Sequence, residues 1–231
     1  MLESRKRLTS RALAAALGCV ALLTIEAPDA SRTALAAPEV VSIAEARALP
    51  TGALVTVEGS VTVPSGAFKS GTSDEGFAIQ DASGGLYVRT DANLGLRVRR
   101  RVRVTGRLAD SNGQLILVTT GARDVKPRAC GANIRAETIP TGRVGEATEG
   151  RLVHVSGTIT KPVGNDLPYG YRVFINDGSG EVQTFVYAST SIDVSGLQPG
   201  RRLGVTGFSG QYKDHYEIIP RFQSDVRAGG R

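Results

Sequence analysis

The sequence has no tryptophan, only two cysteines and only two histidines among its 231 residues. The histidines, His154 and His215, do not form a His-x-x-x-His metal motif, and the sequence has no paired cysteines, nucleophile elbow or phosphate-binding loop. Because the common catalytic and metal-binding patterns are absent, we predict a binding protein rather than an enzyme, with no cofactor and no metal.

The first 36 residues have the features of a signal peptide. A basic stretch comes first, formed by Arg5, Lys6, Arg7 and Arg11. Residues 12–25 then make an apolar run that is short for a membrane span, and Ala34-Leu35-Ala36 offers the small residues that a signal peptidase requires. We therefore predict an exported protein, periplasmic or secreted. Two alternatives stay open: an uncleaved N-terminal membrane anchor, and lipoprotein-type cleavage beside Cys19.

Cleavage after residue 36 would change both the thiol content and the charge of the chain. Cys130 would be the sole cysteine left, so neither an internal disulfide nor a cysteine-based metal site could form. The full chain has 28 basic and 22 acidic residues; the segment holds five and three of them, so 23 and 19 remain, a formal charge of +4. A charge of this size does not by itself indicate a nucleic-acid-binding protein.

The most informative feature is an internal repeat, in which four sequence blocks recur in the same order. In the first copy the blocks are residues 51–61, 79–84, 100–106 and 124–125. In the second copy they are residues 149–159, 175–180, 201–207 and 225–226. The insertions fall between the blocks, where loops are expected, so the chain contains two copies of one structural unit.

Each copy is predicted to contain five strands. Alternating apolar residues mark the first strand at residues 54–63 and again at 152–160. Gly59 and Gly157 occupy the same place in these strands and predict a bulge or sharp bend, which lets one strand pair with both halves of a small barrel. The remaining strands are predicted at residues 76–80, 85–90, 97–108 and 114–119, and at 171–176, 181–187, 201–208 and 216–220.

Five strands with a glycine bend in the first are typical of an OB-fold barrel. The predicted fold class is therefore all-β, with two tandem five-stranded OB-fold barrels after an N-terminal signal peptide. The predicted boundaries are 1–36 for the signal peptide, 41–126 for the first domain, 127–142 for a linker and 143–227 for the second domain. Ser42 and Glu45 form a capping-box pattern that predicts a helix before Pro50, and Asp81 and Asp177 are predicted to hydrogen-bond turn backbone.

The repeated motifs also resemble a known family. Val55-x-Val57-x-Gly59, Ile79-Gln80-Asp81-x-Ser83-Gly84 and Val102-x-Val104-x-Gly106 resemble the OB-fold domains of exported bacterial proteins. Those domains accompany secreted nucleases or stand alone, and they are usually described as nucleic-acid-binding. The resemblance covers residues 42–125 and 143–226 and implies the fold and a nucleic-acid-binding role. This sequence carries no attached nuclease-like segment, so such a role would be played alone or with a partner.

OB-fold barrels typically bind ligands on the outward face of strands two and three. Alternation places six side chains with binding potential on that face: Tyr87, Arg89, Arg172, Phe174, Phe185 and Tyr187. In one interpretation the rings stack on bases and Arg172 meets phosphate. In the other, the rings are covered by the neighbouring barrel or the linker, because exposed rings are costly.

A run of arginines in strand four is the strongest charge feature. The odd positions share one face of the strand and comprise Arg97, Arg99, Arg101, Arg103 and Arg107. This ladder suits contact with a phosphate backbone. The alternative is a solvent or edge face kept soluble by charge and paired with acidic residues. Gly204 stands where Arg103 does, so the ladder belongs to the first copy only.

Together these features predict an exported protein that binds single-stranded nucleic acid or another anionic oligomer. Two other functions fit the same surfaces: docking of a partner protein such as a secreted enzyme, and oligosaccharide binding. The absence of tryptophan counts against the sugar ligand. No stable membrane span is expected after signal cleavage, and the sequence does not indicate an oligomeric state.

Overall fold

A closed five-stranded barrel is built from the first half of the chain. The computed structural model describes residues 39–69 and 74–229. The elements of this half are β1 (Val40–Val41), α1 (Ile43–Arg47), β2 (Leu54–Val63), β3 (Phe77–Gln80), β4 (Gly85–Arg89), β5 (Arg100–Ser111), β6 (Gln114–Val118) and β7 (Val125–Cys130). The barrel strands pair in the order β2-β3-β4-β6-β5, and β5 pairs back with β2 to close the barrel. At the edges, β1 pairs with β2 and β7 pairs with β5.

The second half repeats this architecture. Its strands are β8 (Glu137–Thr138), β9 (Leu152–Ile159), β10 (Gly164–Asp166), β11 (Gly170–Asn176), β12 (Glu181–Tyr187), β13 (Arg202–Tyr212), β14 (His215–Ile219) and β15 (Val226–Ala228). The barrel order is β9-β11-β12-β14-β13, with β13 pairing back with β9. Counted from the first barrel strand, both halves follow the order 1-2-3-5-4, which is the Greek-key arrangement of an OB-fold. The prediction of two tandem OB-fold barrels is confirmed.

Short 3₁₀ turns connect the strands at Ala122–Asp124, Thr141–Arg143, Glu146–Thr148, Ala188–Thr190 and Gln223–Asp225. No helix in residues 39–69 and 74–229 is long and apolar enough to cross a membrane. The predicted signal peptide lies outside the described residues.

The first strand of each barrel changes its pairing partner directly after the glycine, while the register shift of β2 lies between Val61 and Val63 and not at Gly59. In β2 the residues up to Ser60 pair with β5, whereas those from Ser60 onward pair with β3. A Cβ at Gly59 would lie 3.1 Å from the carbonyl oxygen of Gln80, and a Cβ at Gly157 would lie 2.7 Å from the carbonyl carbon of Asn176. A side chain at Gly157 would force its neighbour to move, and one at Gly59 would be tightly packed. The same strand pairs with both halves of the barrel at this point.

Each barrel encloses its own hydrophobic core, filled by the side chains that alternation placed inward. In the first barrel these include Phe77, Ile79, Leu86 and Val88, and in the second they include Val173, Ile175 and Val182. The segment before each barrel is fastened to it by an aspartate in the turn between strands two and three. Asp81 accepts a hydrogen bond from the backbone N–H of Ile43 at 2.9 Å, and Asp177 accepts from the backbone N–H of Thr141 at 3.1 Å. Both aspartates also accept hydrogen bonds from the turn backbone, as predicted: Asp81 from Ser83 and Gly84, and Asp177 from Ser179.

A third hydrophobic cluster joins the two barrels. Ala78 and Tyr87, on the outer wall of β3 and β4, pack against Phe208 and Ile219 of the second barrel. Ala78 is fully buried by this contact and Tyr87 keeps only 8% of its surface exposed. Both barrels therefore belong to one compact unit.

The region predicted as a linker carries more structure than the sequence indicated. β7 continues to Cys130 along the free edge of β5, and Pro127 is accommodated there because an edge strand does not need every backbone N–H. β8 likewise pairs with β9. The fourth strand also differs from its prediction, since β5 begins at Arg100 rather than at residue 97 and extends to Ser111.

Candidate functional site

A cleft of about 740 Å³ opens between the two barrels. Its walls come from β4, from the hairpin between β5 and β6, from β10 to β12, and from the hairpin between β13 and β14. The cleft brings together five of the ten residues predicted to bind a ligand: Tyr87, Arg89, Arg172, Phe185 and Tyr187. We refer to it as the inter-barrel cleft.

Two of the three aromatic rings among these five residues are structural parts of the barrel contact. Tyr87 packs edge-to-face on Phe208, with ring centroids 5.9 Å apart. Burial, together with the nearby charge of Asp74, raises the pKa of the Tyr87 hydroxyl well above its usual value, and the hydroxyl is hydrogen-bonded to Asp74. Tyr187 stacks on Phe68 at 5.4 Å. Neither ring is free to stack on a base, so the interpretation in which rings are covered by the other barrel holds for both.

Other rings of the cleft remain accessible. Phe185 is partly buried and meets Tyr187 edge-to-face at 4.9 Å. Tyr169 and Tyr212 are 50% and 46% exposed at the rim. Tyr212 was missed by sequence reasoning because the predicted fourth strand of the second copy ended at residue 208, whereas β13 continues to Tyr212 in a hairpin with β14.

A fixed polar group lies on one side of the cleft. Glu217 is 5% exposed and accepts a hydrogen bond from the side-chain amide of Gln183 at 2.6 Å. The Nε2 atom of His215 lies 3.8 Å from the same carboxylate. Burial raises the pKa of Glu217, against the opposing effect of the bond from Gln183. At the rim, Arg172 lies 3.9 Å from the carboxylate of Asp166.

Phe174 does not belong to the residues that line the cleft. Its ring lies under the ammonium group of Lys161, which stands 4.2 Å from the ring centroid. The second barrel therefore does not present Phe174, Phe185 and Tyr187 on one continuous stacking surface. Phe185 and Tyr187 face the first barrel, and Phe174 is covered by a lysine of its own barrel.

A second candidate surface lies on the first barrel, across β2, β5 and β7. The guanidinium groups of Arg101 and Arg103 lie 2.9 and 2.5 Å from the two carboxylate oxygens of Glu58, and that of Arg128 lies at 3.9 Å. Lys126 is the register partner of Arg103 on β7 and is exposed. The hydrogen bond from Arg103 lowers the pKa of Glu58, so this carboxyl is ionised. We call Arg101, Arg103, Lys126 and Arg128, grouped around Glu58, the arginine face.

The arginine face only partly matches the predicted ladder. Arg97 and Arg99 are exposed but precede β5, and Arg99 has a left-handed backbone with φ of 69°. They do not continue the row formed by Arg101 and Arg103. Arg128 was missed because its segment was predicted as linker rather than as a strand beside β5. The pairing with Glu58 agrees with the alternative that the arginines meet acidic residues, yet three guanidinium groups share this one carboxylate.

The second barrel has no equivalent of this face. Gly204 occupies the position of Arg103, and Ser156 occupies the position of Glu58. A Cβ at Gly204 would lie 3.3 Å from the imidazole carbon Cε1 of His154, so this position is already covered by the histidine ring. The structure also contains no cluster of three or more metal-ligating side chains in residues 39–69 and 74–229.

The solved structures that are similar to this chain have low sequence identity to it. No family model and no curated protein matches the chain. An OB domain from Methanosarcina mazei is 10% identical, with a TM-score of 0.36, and the match covers 42% of this chain and 88% of that one. The hypothetical protein ygiW from E. coli is 19% identical, with a TM-score of 0.31 and coverage of 39% and 90%. A murine DNA-binding protein solved with double-stranded DNA is 10% identical, with a TM-score of 0.41 and coverage of 76% and 97%. The OB-fold assignment therefore rests on the strand order of both barrels.

Proposed function

We propose that this protein binds nucleic acid through phosphate contacts made by the arginine face. The observation that carries the proposal is the surplus of cations around Glu58: three guanidinium groups share this one carboxylate, and Lys126 lies beside Arg103 on the neighbouring strand. The side chains of Arg101, Arg103 and Arg128 are 56%, 40% and 42% exposed, so each keeps guanidinium hydrogens for a further acceptor.

Glu58 holds the guanidinium groups of the arginine face in place. A carboxylate between guanidinium groups holds them near one another, which lowers the entropy lost when they bind a second anion. One carboxylate does not neutralise four cations, and the formal charge of the group is +3. A polyanion with regularly spaced charges fits such a face, because each contact releases condensed counterions from its backbone.

The arginine face has no feature that selects single-stranded nucleic acid. None of the four side chains of the arginine face is aromatic, and the rings predicted to stack on bases belong to the inter-barrel cleft or lie under Lys161. Contacts to phosphate carry no base information, so single-stranded and double-stranded molecules are both expected to bind.

The test is a salt titration of binding to a labelled oligonucleotide of about 20 nucleotides, followed by fluorescence anisotropy. Three or four phosphate contacts predict that log K falls against log salt with a slope of about −2 to −4. Arg101→Ala with Arg103→Ala should weaken binding at low salt at least tenfold and flatten the slope by about 2. Arg202→Ala is the matched control, since Arg202 is the exposed counterpart of Arg101 on the second barrel.

Absence of binding at low salt would overturn the proposal. So would an equal loss of affinity in the Arg202→Ala control, because that result would indicate a general charge effect. Thermal unfolding of each variant establishes that the barrels remain intact.

We also propose that the protein acts outside the cytoplasm. The support is the basic and apolar pattern of residues 1–36 and the cleavage-type residues Ala34-Leu35-Ala36. Fractionation of the producing cell with mass spectrometry of the mature N-terminus tests this. An N-terminus near Ala37 in the periplasm or medium is expected, and intact Met1 in the cytoplasmic fraction would contradict it.

A further inference from the structure

The inter-barrel cleft has a different electrostatic character from the arginine face. Its lining contains three carboxylates, from Asp74, Asp166 and Glu217, beside two arginines and one histidine. A phosphate chain entering this cleft would meet carboxylates at both walls, including the buried one of Glu217. The cleft thus favours a ligand without net charge.

The accessible rings of the cleft offer flat apolar surfaces at its rim and wall. Tyr169 and Tyr212 are each about half exposed at the rim, and Phe185 faces the space between them and the first barrel. Ring faces of this kind pack against the C–H surfaces of a pyranose ring, which are apolar although the edges of the sugar are polar. The chain has no tryptophan, and tyrosine and phenylalanine supply these surfaces here.

The polar groups of the cleft suit hydroxyl ligands. Gln183 holds the carboxylate of Glu217 at 2.6 Å and also lies 3.3 Å from His215, so these groups are fixed before a ligand arrives. Arg172 and Asp166 place a donor and an acceptor side by side at the rim. A hydroxyl both donates and accepts, and neighbouring hydroxyls of a sugar therefore match paired amide, carboxylate and guanidinium groups.

The size of the cleft is also suitable. Its volume of about 740 Å³ falls within the range typical of small-molecule sites. The two barrels hold it open through the contacts of Tyr87 with Phe208 and of Tyr187 with Phe68, so the cleft exists in the absence of ligand. A preformed cleft loses less entropy on binding than one that must be assembled.

From these observations we propose that the inter-barrel cleft binds a neutral oligosaccharide, with Tyr169, Tyr212 and Phe185 packing on sugar rings and the Gln183–Glu217 pair bonding hydroxyls. This site is separate from the arginine face, and the proposal does not depend on nucleic-acid binding.

The test uses calorimetric titration of the full mature chain with cellohexaose, maltohexaose and chitohexaose. At least one of them is expected to bind with a Kd between about 10 μM and 1 mM. Because the contacts are uncharged, raising the salt to about 0.5 M should change that Kd by less than twofold. Tyr169→Ala should weaken binding at least tenfold, and since Tyr169 is half exposed in a turn, this variant is expected to stay folded.

Two controls separate this proposal from the previous one. Phe174→Ala removes a ring from the same barrel that does not line the cleft and should leave sugar affinity unchanged. Arg101→Ala with Arg103→Ala should also leave it unchanged. The proposal is overturned if none of the three sugars binds at about 5 mM. It is equally overturned if Tyr169→Ala weakens oligonucleotide binding while no sugar binds, since the cleft would then be a site for bases.

Discussion

The backbone of Gly85 packs directly against the backbone of Gly150, with no side chain between them. Gly85 begins β4 of the first barrel, and Gly150 precedes β9 of the second with a left-handed φ of 82°. A Cβ on either glycine would collide with the carbonyl oxygen of the other. Beside this contact, the side-chain oxygen of Gln80 accepts a hydrogen bond from the backbone N–H of Leu152 at 2.8 Å. The two barrels are thus held together by backbone as well as by side chains.

Gly85→Ala is therefore expected to disturb the contact between the barrels. Overpacking of a tight site costs about 1–3 kcal/mol, and we expect a loss of this size in the free energy of unfolding measured in urea. Gly121→Ala is the control, because Gly121 has extended backbone and open space around its Cβ position. Equal stability of the two variants would contradict the close packing of Gly85 on Gly150.

Glu58→Gln is expected to strengthen nucleic-acid binding. The substitution removes the negative charge within the arginine face but keeps a side-chain oxygen for Arg103. The slope of log K against log salt should become steeper by up to about 1, and affinity at low salt should rise. Glu181→Gln, which removes a charge paired with Lys161 on the second barrel, is the control for net charge. Unchanged affinity in Glu58→Gln would indicate that Glu58 and its arginines are a structural network only, whereas lower affinity would indicate that the ordering of the guanidinium groups by the carboxylate outweighs its charge.

Asp81→Asn is expected to destabilise the first barrel. The carboxylate of Asp81 accepts hydrogen bonds from the backbone N–H groups of Ile43, Ser83 and Gly84 and from the Ser83 hydroxyl. An asparagine has one acceptor oxygen in place of two, and we expect a loss of about 1–3 kcal/mol in the free energy of unfolding.

The effect of Asp81→Asn should depend on pH. Burial opposes the charge, but the hydrogen bonds from Ser83, Ile43 and Gly84 outweigh it and lower the pKa of Asp81. A lowered pKa in the folded state stabilises the protein above the unfolded-state pKa, and this contribution is lost as the pH falls. The difference between wild type and Asp81→Asn should therefore shrink below about pH 4. A difference that grows with acid would refute this assignment, and the exposed Asp91→Asn serves as control.

Glu217→Gln is expected to stabilise the protein at neutral pH. Burial raises the pKa of Glu217, so the folded state binds a proton more tightly than the unfolded state, and stability falls as the pH rises above the unfolded-state value. Glutamine has the same shape without the charge. Its advantage in thermal unfolding should be present at pH 7 and vanish towards about pH 4, where Glu217 is protonated in both states.

The exposed Glu137→Gln is the control for this series. If Glu217→Gln were instead less stable at neutral pH, attraction between the carboxylate and His215 would outweigh the cost of burying the charge.

The repeat and the strand alternation predicted the barrels because both are properties of a single chain segment. Gly59 and Gly157 marked the place where the first strand changes its pairing partner, and their recurrence 98 residues apart indicated the same backbone arrangement in both copies. The inward positions Phe77 and Ile79 followed from a period of two residues. These features follow from local sequence patterns, so they can be predicted without knowing how the two barrels pack.

The binding surfaces depend on packing between segments that are distant in sequence. Alternation correctly placed Ala78 and Tyr87 on the outer wall of β3 and β4, but it does not reveal that Phe208 lies over them. Arg128 joins the arginine face because β7 lies beside β5, and no pattern in residues 125–130 indicated a strand. Alternation reports which way a side chain points, whereas only the packed molecule defines what it meets.

The second barrel covers part of the outer wall formed by β3 and β4 of the first barrel, and this contact reduces the surface on which one molecule could bind a ligand. A protein with two like domains is commonly treated as bivalent, and its avidity for a polymer is then calculated from two linked binding events. Here Ala78 and Tyr87 on the wall formed by β3 and β4 are covered by Phe208 and Ile219 of the second barrel, so the two barrels of one chain do not offer two equivalent walls. If the chain binds a polymer as proposed, avidity on a long polymer therefore comes from several molecules bound along it and not from the two barrels of one molecule.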